Sequence, residues 1–216
     1  MNLKHATLID VVQGSPEWLQ ARAGVATASH FAEILSKGRG GGESVGRKDY
    51  RYKLAAERLT GFYIQNGWTS AEMQWGTNNE PVAALEFSLE TGLPVQEVGF
   101  IKLDYLEAGA SLDRLVGDDQ LLEIKAPKTS THVQYLEKGE MPTKYKAQVQ
   151  GQLWISERKS GYFMSYDPRL PSNLSKMIVK VERDEEYIQM LATEVEQFLS
   201  EVDQTVAKLK GLGEKL

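Results

Sequence analysis

The sequence predicts a mixed α/β or α+β domain, and three observations lead to this fold class. Helical patterning fills both ends of the chain, strand-like alternation fills residues 95–126, and two further strand patterns follow at 161–166 and 177–181. Helices packed around a central sheet bury the apolar faces of both kinds of element. The chain has 216 residues, and no linker divides it. We therefore expect one domain over residues 1–216.

Two short helices are predicted near the N-terminus. Ser15-Pro16-Glu17-Trp18 combines an N-cap serine with a proline at the first helical position, and it opens a helix that Gly24 ends. Ser29 starts a second helix, with apolar residues at Phe31, Ile34 and Leu35.

A basic, glycine-rich segment separates these helices from the next one. Five glycines lie between positions 38 and 46, which predicts a mobile loop. The segment lacks the GK[ST] ending and the preceding apolar strand of a phosphate-binding P-loop. A helix over residues 47–59 follows, and Gly61 closes it.

A longer helix is predicted over residues 70–91. Its apolar positions are Ala83, Leu85, Phe87 and Leu89. Pro81 has no backbone N–H and tends to start or kink a helix, so we expect Glu80 at a break in this helix.

The middle of the chain predicts an antiparallel meander. Its strands are residues 95–103, 108–116 and 120–126, joined by tight turns at 104–105 and 117–119. Two helices follow at 129–138 and 142–156. Asp184 then caps a long terminal helix that reaches about Leu209.

Composition excludes some classes of function. The chain has no cysteine, so it has no disulfide, no thiolate metal site and no cysteine nucleophile, and any metal must use oxygen or histidine ligands. The first residues lack the apolar run of a signal peptide or a membrane span. We therefore expect a soluble protein in the cytoplasm.

The net charge of −5 argues mildly against nucleic acid as a partner, but the charge is unevenly distributed. Residues 37–58 and 125–159 each contain seven basic and three acidic residues, whereas residues 182–216 contain four basic and nine acidic ones. Each basic segment is either part of a nucleic-acid-binding surface or an ordinary solvated face, and the charges alone leave both interpretations open.

Asp113, Glu123 and Lys125 form the pattern D-(x)n-[DE]-x-K within a predicted hairpin. Alternate residues of a strand share a face, so Glu123 and Lys125 project together while Leu122 and Ile124 face the core, and the hairpin brings Asp113 alongside. A divalent cation would offset the repulsion between the carboxylates, and carboxylate oxygens suit Mg²⁺ or Mn²⁺. The pattern is typical of metal-assisted phosphodiester hydrolysis, with the lysine positioning water or stabilising charge. The same residues also describe a half-exposed strand with a cross-strand ion pair.

Seven short motifs occur in order around this pattern. They are Trp18-x3-Arg22-x-Gly24-x2-Thr27-Ala28-Ser29, Trp75-Gly76-x3-Glu80, Ser111-x-Asp113, Glu123-Ile124-Lys125-x-Pro127, Tyr145-x-Ala147-Gln148-Val149-Gln150, Tyr166-Asp167-Pro168-Arg169 and Glu182-Arg183-Asp184-Glu185. Together they resemble the phage lambda exonuclease family, the YqaJ-like viral recombinases and alkaline exonucleases of the PD-(D/E)xK nuclease superfamily. The resemblance covers nearly the whole chain and implies a restriction endonuclease-like core, with a central mixed sheet flanked by helices.

The resemblance also implies an activity and a catalytic site. Members of the family digest duplex DNA from a 5′ end, release 5′-mononucleotides and leave a 3′ single-stranded overhang for recombination. Asp113, Glu123, Glu80 and the main-chain carbonyl of Ile124 would hold Mg²⁺, with Mn²⁺ as a substitute. Lys125 would orient the attacking water. Gln148 rather than Gln150 matches the glutamine that helps to place the nucleophile, and a surface helix residue is the alternative for it.

The resemblance further implies how DNA is bound. Arg22 and Ser29, with Thr27 and Ser111, match residues that bind the terminal 5′ phosphate; the alternative is that Ser29 is only an N-cap and Arg22 a surface charge. Met73 matches an apolar residue that wedges into the duplex end, and Trp75 is expected in the core. The basic residues Arg39, Arg47 and Lys48, with Lys37, are candidates for lining a DNA channel. Thr131 replaces a family arginine, so His132 or Lys128 is the expected substitute.

The family forms a ring-shaped homotrimer, and the partners implied here are double-stranded DNA ends, a single-strand annealing protein and two further copies of this chain. The acidic terminal helix would face outward or contact a neighbouring subunit. The gene would belong to a phage or prophage in a bacterial cell. Two other functions use the same core or surface: a restriction-like or structure-specific endonuclease, and a non-catalytic module that binds DNA ends.

Overall fold

The structure, a computed structural model, describes residues 3–65 and 71–213. Its seven α-helices in this part of the chain are α1 (Pro16–Ala21), α2 (Phe31–Ile34), α3 (Val45–Thr60), α4 (Ala71–Thr91), α5 (Thr129–Lys138), α6 (Lys146–Ile155) and α7 (Glu185–Gly213). Its nine strands are β1 (Ala6–Ile9), β2 (Ala26–Thr27), β3 (Val95–Gln96), β4 (Phe100–Leu103), β5 (Ala108–Ser111), β6 (Arg114–Val116), β7 (Gln120–Lys125), β8 (Ser160–Tyr166) and β9 (Lys176–Glu182). None of the described helices is both long and apolar enough to cross a membrane.

The strands form two mixed sheets. The first has the order β1-β4-β5-β2 and the second the order β3-β6-β7-β8-β9. The pairs β2–β5 and β7–β8 are parallel, and the other neighbours are antiparallel. The expected mixed α/β architecture, with sheets flanked by helices, is confirmed.

Apolar residues on both faces of the second sheet are buried. Helix α4 covers one face, where Ala83, Ala84 and Phe87 pack with residues of β6, β7 and β8. The larger core lies on the opposite face and includes residues of the first sheet, α2, α3, α6 and α7. Strand β7 therefore runs through the interior, which is why Glu123 is completely buried.

Helix boundaries follow the local signals in the sequence. The Ser15 side chain accepts a hydrogen bond from the Trp18 N–H, and Gly61 ends α3 with φ of 75°. The Asp184 side chain accepts from the Tyr187 N–H at the start of α7. These caps satisfy backbone groups that the helices leave unpaired.

Three details of the predicted helices are wrong. Helix α4 continues through Pro81, so Glu80 lies in mid-helix; proline removes only one backbone bond, and the packing of the residues beyond it holds the second half in place. Leu85 and Leu89 are exposed, because the helix buries the face of Ala83 and Phe87. Ser29 lies inside a 3-10 turn, Ala28–His30, and does not cap α2.

The single meander is also wrong. The predicted strand 95–103 is divided into β3 and β4, and 108–116 is divided into β5 and β6. β4 and β5 pair in the first sheet, whereas β3 and β6 belong to the second. The chain thus crosses from one sheet to the other around Asp113, which belongs to neither strand.

Opposite charges on α3 and α7 pair within the chain. The Arg47 guanidinium lies 2.6 and 3.0 Å from the two carboxylate oxygens of Glu201, and Arg58 pairs with Asp203 at 2.5 Å. Tyr50 stacks on Phe198 beneath these pairs, with ring centroids 5.5 Å apart. Part of the basic segment 37–58 therefore neutralises part of the acidic C-terminal segment.

Candidate active site

A cavity of about 1160 Å³ opens beside the break between β5 and β6. Asp113, Glu80 and Arg114 line one part of it, and Arg22, Ser29 and Lys53 line another. Met73 lies at its wall and is 62% exposed. The cavity thus brings together residues that are more than 90 positions apart in sequence.

Glu123 lies behind the cavity wall with both carboxylate oxygens hydrogen-bonded. The Gln148 side chain donates from Nε2 to Oε1 at 2.5 Å, and the Lys125 Nζ lies 2.5 Å from the same oxygen. Gln152 donates from Nε2 to Oε2 at 2.6 Å. The two glutamines are four positions apart on α6, which places them on one face of the helix. The carboxylate is therefore held in one orientation from two sides.

Asp113 faces Glu123 across the β6–β7 hairpin. Arg114 pairs with Leu122, so the next position along the hairpin sets Asp113 opposite Glu123. The Asp113 Oδ2 accepts a hydrogen bond of 2.6 Å from the Ile124 N–H. Burial raises the pKa of Asp113 well above its usual value, and the negative charges of Glu123 and Glu80 raise it further.

Lys125 supplies the positive charge of this cluster. Burial works against the charged amine, but Glu123 and Asp113 outweigh it and raise the pKa of Lys125 above its usual value. The Nζ also lies 5.3 Å from the ring centroid of Tyr145. Lys125 is therefore a protonated donor at neutral pH.

Arg114, which no sequence motif singles out, connects Glu80 to Asp113. Its Nη1 donates to Glu80 Oε1 at 2.6 Å and also to the Asp113 carbonyl. Glu97 lies 3.6 Å from its Nη2. The arginine is buried, and its position directly after Asp113 carries no sequence signal of its own. Glu80 thus reaches the cavity, held in an ion pair.

Arg22 lies in the other part of the cavity without an ion pair among the described residues. Its guanidinium carbon lies 3.9 Å from the Trp18 ring centroid, and its Nη1 lies 3.5 Å from Ser111 Oγ. The Nε is buried and has no hydrogen-bond partner within residues 3–65 and 71–213. Desolvation by burial lowers the pKa of Arg22. An arginine in this state is well suited to bind an anion.

Hydroxyl groups surround a histidine beside Arg22. Thr27 Oγ1, Ser29 Oγ and His30 Nδ1 lie 3.2 Å from one another. Burial lowers the pKa of His30 to about 4, with Lys53 and Arg22 adding to the effect, so the ring is neutral at pH 7. Thr27 and Ser29 were expected here, whereas His30 was not, although it directly follows Ser29.

Lys53 is a further cation of this region that sequence reasoning missed. It lines the cavity, its Nζ lies 3.7 Å from Glu57 Oε1, and its side chain is 16% exposed. The Glu57 carboxylate accepts hydrogen bonds from the backbone N–H groups of Gly24 and Ile64. These bonds hold the turn after α1 against α3. A basic residue four positions before a glutamate on a helix predicts an ordinary i, i+4 ion pair, so the sequence pattern does not indicate that Lys53 lines the cavity.

Other predicted residues lie elsewhere. Arg39 and Lys48 are exposed and do not line the cavity, and Arg47 is bound to Glu43 and Glu201. His132 is fully buried, with its ring nitrogens 2.7 Å from Ser165 Oγ and 2.9 Å from the Leu174 carbonyl oxygen.

Three further predicted residues lie near the cavity or on other elements. Trp75 is only half-buried, with the Arg169 guanidinium 4.3 Å from its ring centroid. Lys128 is 71% exposed and lies 3.2 Å from Glu72. Gln150 donates to the Glu182 carbonyl and accepts from the Asp184 N–H, so it joins α6 to the start of α7. Of the two predicted glutamines, Gln148 is the one beside Glu123.

The donor set around Asp113 fits a magnesium ion. Two carboxylates lie opposite each other, and Ile124 shows its N–H to Asp113, so its carbonyl points to the same side of the strand. Mg²⁺ in proteins uses one or two carboxylates, waters and substrate phosphate. Among the described residues no three His, Asp or Glu side chains converge, because Glu80 is turned to Arg114. Burial and then the negative charge of Glu123 raise the pKa of Asp113, and a cation would relieve the repulsion between the two carboxylates.

The fold and the opposed carboxylates with their lysine define a nuclease with a restriction endonuclease-like core. The sequence profile of the YqaJ-like viral recombinase domain matches residues 17–159. This chain belongs to that family.

Solved structures agree with this assignment. The alkaline exonuclease LHK-Exo from Laribacter hongkongensis is 38% identical, with a TM-score of 0.85, and the match covers 93% of this chain and 99% of that one. A structure of LHK-Exo in complex with dAMP matches equally well, with 37% identity and a TM-score of 0.86 over the same shares. A phage-related exonuclease from Haemophilus somnus 129PT shares the fold, at 15% identity and a TM-score of 0.66, over 86% of this chain and 96% of that one.

A curated relative covers a smaller part. An uncharacterised Escherichia coli K12 protein designated ExoD is 32% identical over 65 residues, which are 30% of this chain and 74% of ExoD. Together, the family and the match to LHK-Exo identify a nuclease, and they support an exonuclease role on DNA.

Proposed function

We propose that this protein is a Mg²⁺-dependent exonuclease that degrades duplex DNA from 5′ to 3′. It binds a phosphorylated 5′ end, releases 5′-mononucleotides and leaves a 3′ single-stranded overhang. One observation carries the proposal: a single cavity is lined both by Arg22, which has no ion pair among the described residues, and by Asp113, which lies opposite the buried Glu123. The relative LHK-Exo has been crystallised with dAMP, a mononucleotide of the kind released.

The end of the cavity lined by Arg22, Ser29 and Lys53, called the phosphate end, supports a chain end as the substrate. Arg22 offers charged donors and Ser29 a hydroxyl at the cavity wall, while the Ser111 and Thr27 hydroxyls contact Arg22 and Ser29 respectively. A terminal phosphate monoester carries more charge than an internal diester, so it gains more from a desolvated guanidinium. Lys53 adds a second positive charge. An end that lacks the phosphate leaves Arg22 buried and uncompensated.

The other end of the cavity, lined by Asp113, Glu80 and Arg114 and called the carboxylate end, performs the hydrolysis. Lys125 remains protonated and donates toward Glu123, so it orients a water or stabilises negative charge and does not act as a base. Gln148 and Gln152 fix the Glu123 carboxylate, and the Ile124 N–H fixes Asp113. Asp113, Glu123, the Ile124 carbonyl and Glu80 would hold Mg²⁺, Glu80 on leaving Arg114, with Mn²⁺ as a substitute. The ion, when bound, polarises the phosphoryl group and lowers the pKa of a bound water.

The remaining parts of the proposal concern DNA and partners. Met73, exposed at the cavity wall, would contact the duplex end. Arg39 and Lys48 remain candidates for DNA contacts outside the cavity, whereas the ion pairs of Arg47 leave it no free charge for that role. The protein would work as a ring-shaped homotrimer with a single-strand annealing protein, in the cytoplasm of a bacterium that carries the phage or prophage.

One experiment separates this function from its rivals. A linear duplex labelled at one end, with or without a 5′ phosphate, is incubated with Mg²⁺ beside covalently closed circles, using the wild type and Asp113→Ala. We expect labelled mononucleotides from phosphorylated linear ends only, and none with the variant. Cleavage of the circles would establish an endonuclease instead. Binding of ends without any release of nucleotides would establish a non-catalytic module.

A further inference from the structure

Gln152 contacts both ends of the cavity from behind. It is 1% exposed, on α6, and its Nε2 donates to Glu123 Oε2 at 2.6 Å and to the Ser111 carbonyl oxygen at 3.1 Å. Both partners are acceptors only, so the amide nitrogen must face them. This requirement fixes the orientation of the side chain without any assumption about its amide group.

Ser111 contacts Arg22 at the phosphate end of the cavity. Its hydroxyl accepts a hydrogen bond of 2.9 Å from Trp18 Nε1 and lies 3.5 Å from Arg22 Nη1. The same residue gives its carbonyl to Gln152 and is followed, two positions later, by Asp113. The amide group of Gln152 therefore connects the segment that contacts Arg22 to Glu123, the carboxylate behind the carboxylate end of the cavity.

Helix α6 is pressed against the phosphate end as well. A Cβ atom on Gly151 would lie 2.4 Å from a ring carbon of Phe31 and 3.5 Å from Ala28 Cβ. This close approach is possible only for glycine, and it brings α6 against the turn that contains Ser29. The helix thus has fixed contacts with both ends of the cavity, and Gln152 lies next to the closest of them.

The Oε1 of Gln152 is buried and has no hydrogen-bond partner within the described part of the chain. A buried acceptor without a partner costs free energy. An amide at this position, where methionine or leucine would fit a core helix, indicates that its donors serve the site.

We propose that Gln152 is a positioning residue that couples 5′-end recognition to metal binding. It holds the Ser111–Asp113 segment and Glu123 at a fixed separation, so that a phosphate at Arg22 places the next phosphodiester at the carboxylates. This inference rests on the proposed function, because it assigns a role within the same site. It concerns neither the chemistry of the bond nor a direct contact with DNA.

The test compares Gln152→Met with Gln150→Met. Gln150 lies on the same helix, is 2% exposed and makes two hydrogen bonds, but these reach the Glu182 carbonyl and the Asp184 N–H. Both variants lose one buried amide and two hydrogen bonds, so a general loss of stability affects both. Mg²⁺ binding is measured by calorimetric titration of the protein alone. The preference for ends is measured as the ratio of initial rates on 5′-phosphorylated and 5′-hydroxyl duplexes.

For Gln152→Met we expect Mg²⁺ affinity to fall by about 10- to 100-fold, the range found when a residue that orients a metal ligand is removed. The end preference should also fall, whereas Gln150→Met should keep both values within about twofold. The inference is overturned if Gln152→Met and Gln150→Met behave alike in both measurements. If Gln152→Met shows no cooperative melting, Gln152→Asn, which retains the amide at a shorter reach, replaces it under the same criteria.

These outcomes are distinct from failure of the proposed function. A wild type that binds Mg²⁺ but shows no preference for phosphorylated ends refutes the end-recognition function. The Mg²⁺ titration of the two glutamine variants then still decides whether Gln152 positions Glu123.

Discussion

Replacing Arg22 by methionine should abolish recognition of 5′-phosphorylated ends while leaving the fold as stable as before. The functional loss follows from the hydrogen bonds that a guanidinium makes to phosphate. Each hydrogen bond to a charged group contributes about 1.5–3 kcal/mol, so two of them contribute about 3–6 kcal/mol. At about 1.4 kcal/mol per factor of ten, kcat/KM on phosphorylated ends should fall by about 10²- to 10⁴-fold.

The stability side of this prediction follows from what Arg22 lacks. Burial lowers its pKa, it has no ion pair among the described residues, and its contact with Ser111 is long at 3.5 Å. Arg22→Met loses the stacking on Trp18, worth about 0.5–2 kcal/mol, but also removes the cost of keeping a charge out of water. The two effects oppose each other, so the free energy of unfolding should change by no more than about 1 kcal/mol.

Arg158→Met is the matched control. Arg158 is also buried, and burial also lowers its pKa, but its Nη1 donates to the carbonyls of Gly117 and Gln120 at 3.1 and 2.8 Å. Losing these bonds leaves two acceptors unpaired, at about 1–3 kcal/mol each, with no effect on end preference. Urea unfolding and initial rates on the two kinds of end measure both quantities. The reasoning is refuted if Arg22→Met keeps the preference for phosphorylated ends, or if it destabilises as much as Arg158→Met.

Three further substitutions test other parts of the site. Asp113→Asn should remove activity but raise the melting temperature at pH 7 by a few degrees in the absence of metal, because burial and like charges raise the pKa of this carboxyl. Scanning calorimetry without Mg²⁺ measures the change, and a fall in melting temperature would contradict the prediction. His30 has a pKa of about 4 in the folded protein and near 6.5 in the unfolded chain, so only the unfolded chain takes up a proton as the pH falls from 6.5 to 4. Urea unfolding at pH 7.5 and 5 should therefore show the wild type losing stability relative to His30→Asn, toward a limit of about 2–3 kcal/mol at pH 4. Above pH 7 the two proteins should show the same dependence of stability on pH. Arg47→Met should destabilise the protein by about 1–3 kcal/mol, because it loses the bidentate ion pair with Glu201 on α7. The Kd for DNA should stay within twofold of the wild-type value. A larger loss of binding in a fluorescence anisotropy titration would show that Arg47 contacts DNA.

The sequence predicts those parts of the fold that local rules determine. Ser15, Gly61 and Asp184 mark helix ends because capping depends only on neighbouring backbone groups. The division of 95–103 and 108–116 into four strands escaped prediction, since alternation continues unbroken while the chain moves between two sheets. Which sheet a strand joins depends on pairings with distant partners, and a period of two does not encode them.

The candidate site shows the same limit. Asp113, Glu123 and Lys125 were predicted because hairpin register and strand alternation place them together. Gln152 and Lys53 were missed, because each acts through a tertiary neighbour far away in sequence.

The stability changes expected for Arg22→Met and Asp113→Asn have one physical origin. At the phosphate end of the cavity, Arg22 is a desolvated cation without an ion pair among the described residues. At the other end, burial and the charge of Glu123 behind the cavity wall raise the pKa of Asp113. In the folded protein without ligand, both arrangements cost free energy that a packed apolar pair would not. Phosphate compensates the first and a divalent cation the second, so both ligands should stabilise the fold by mass action. Because Gln152 joins the two ends, saturating inorganic phosphate and Mg²⁺ together should raise the melting temperature by more than the sum of their separate effects, and strictly additive shifts would show that the ends act independently.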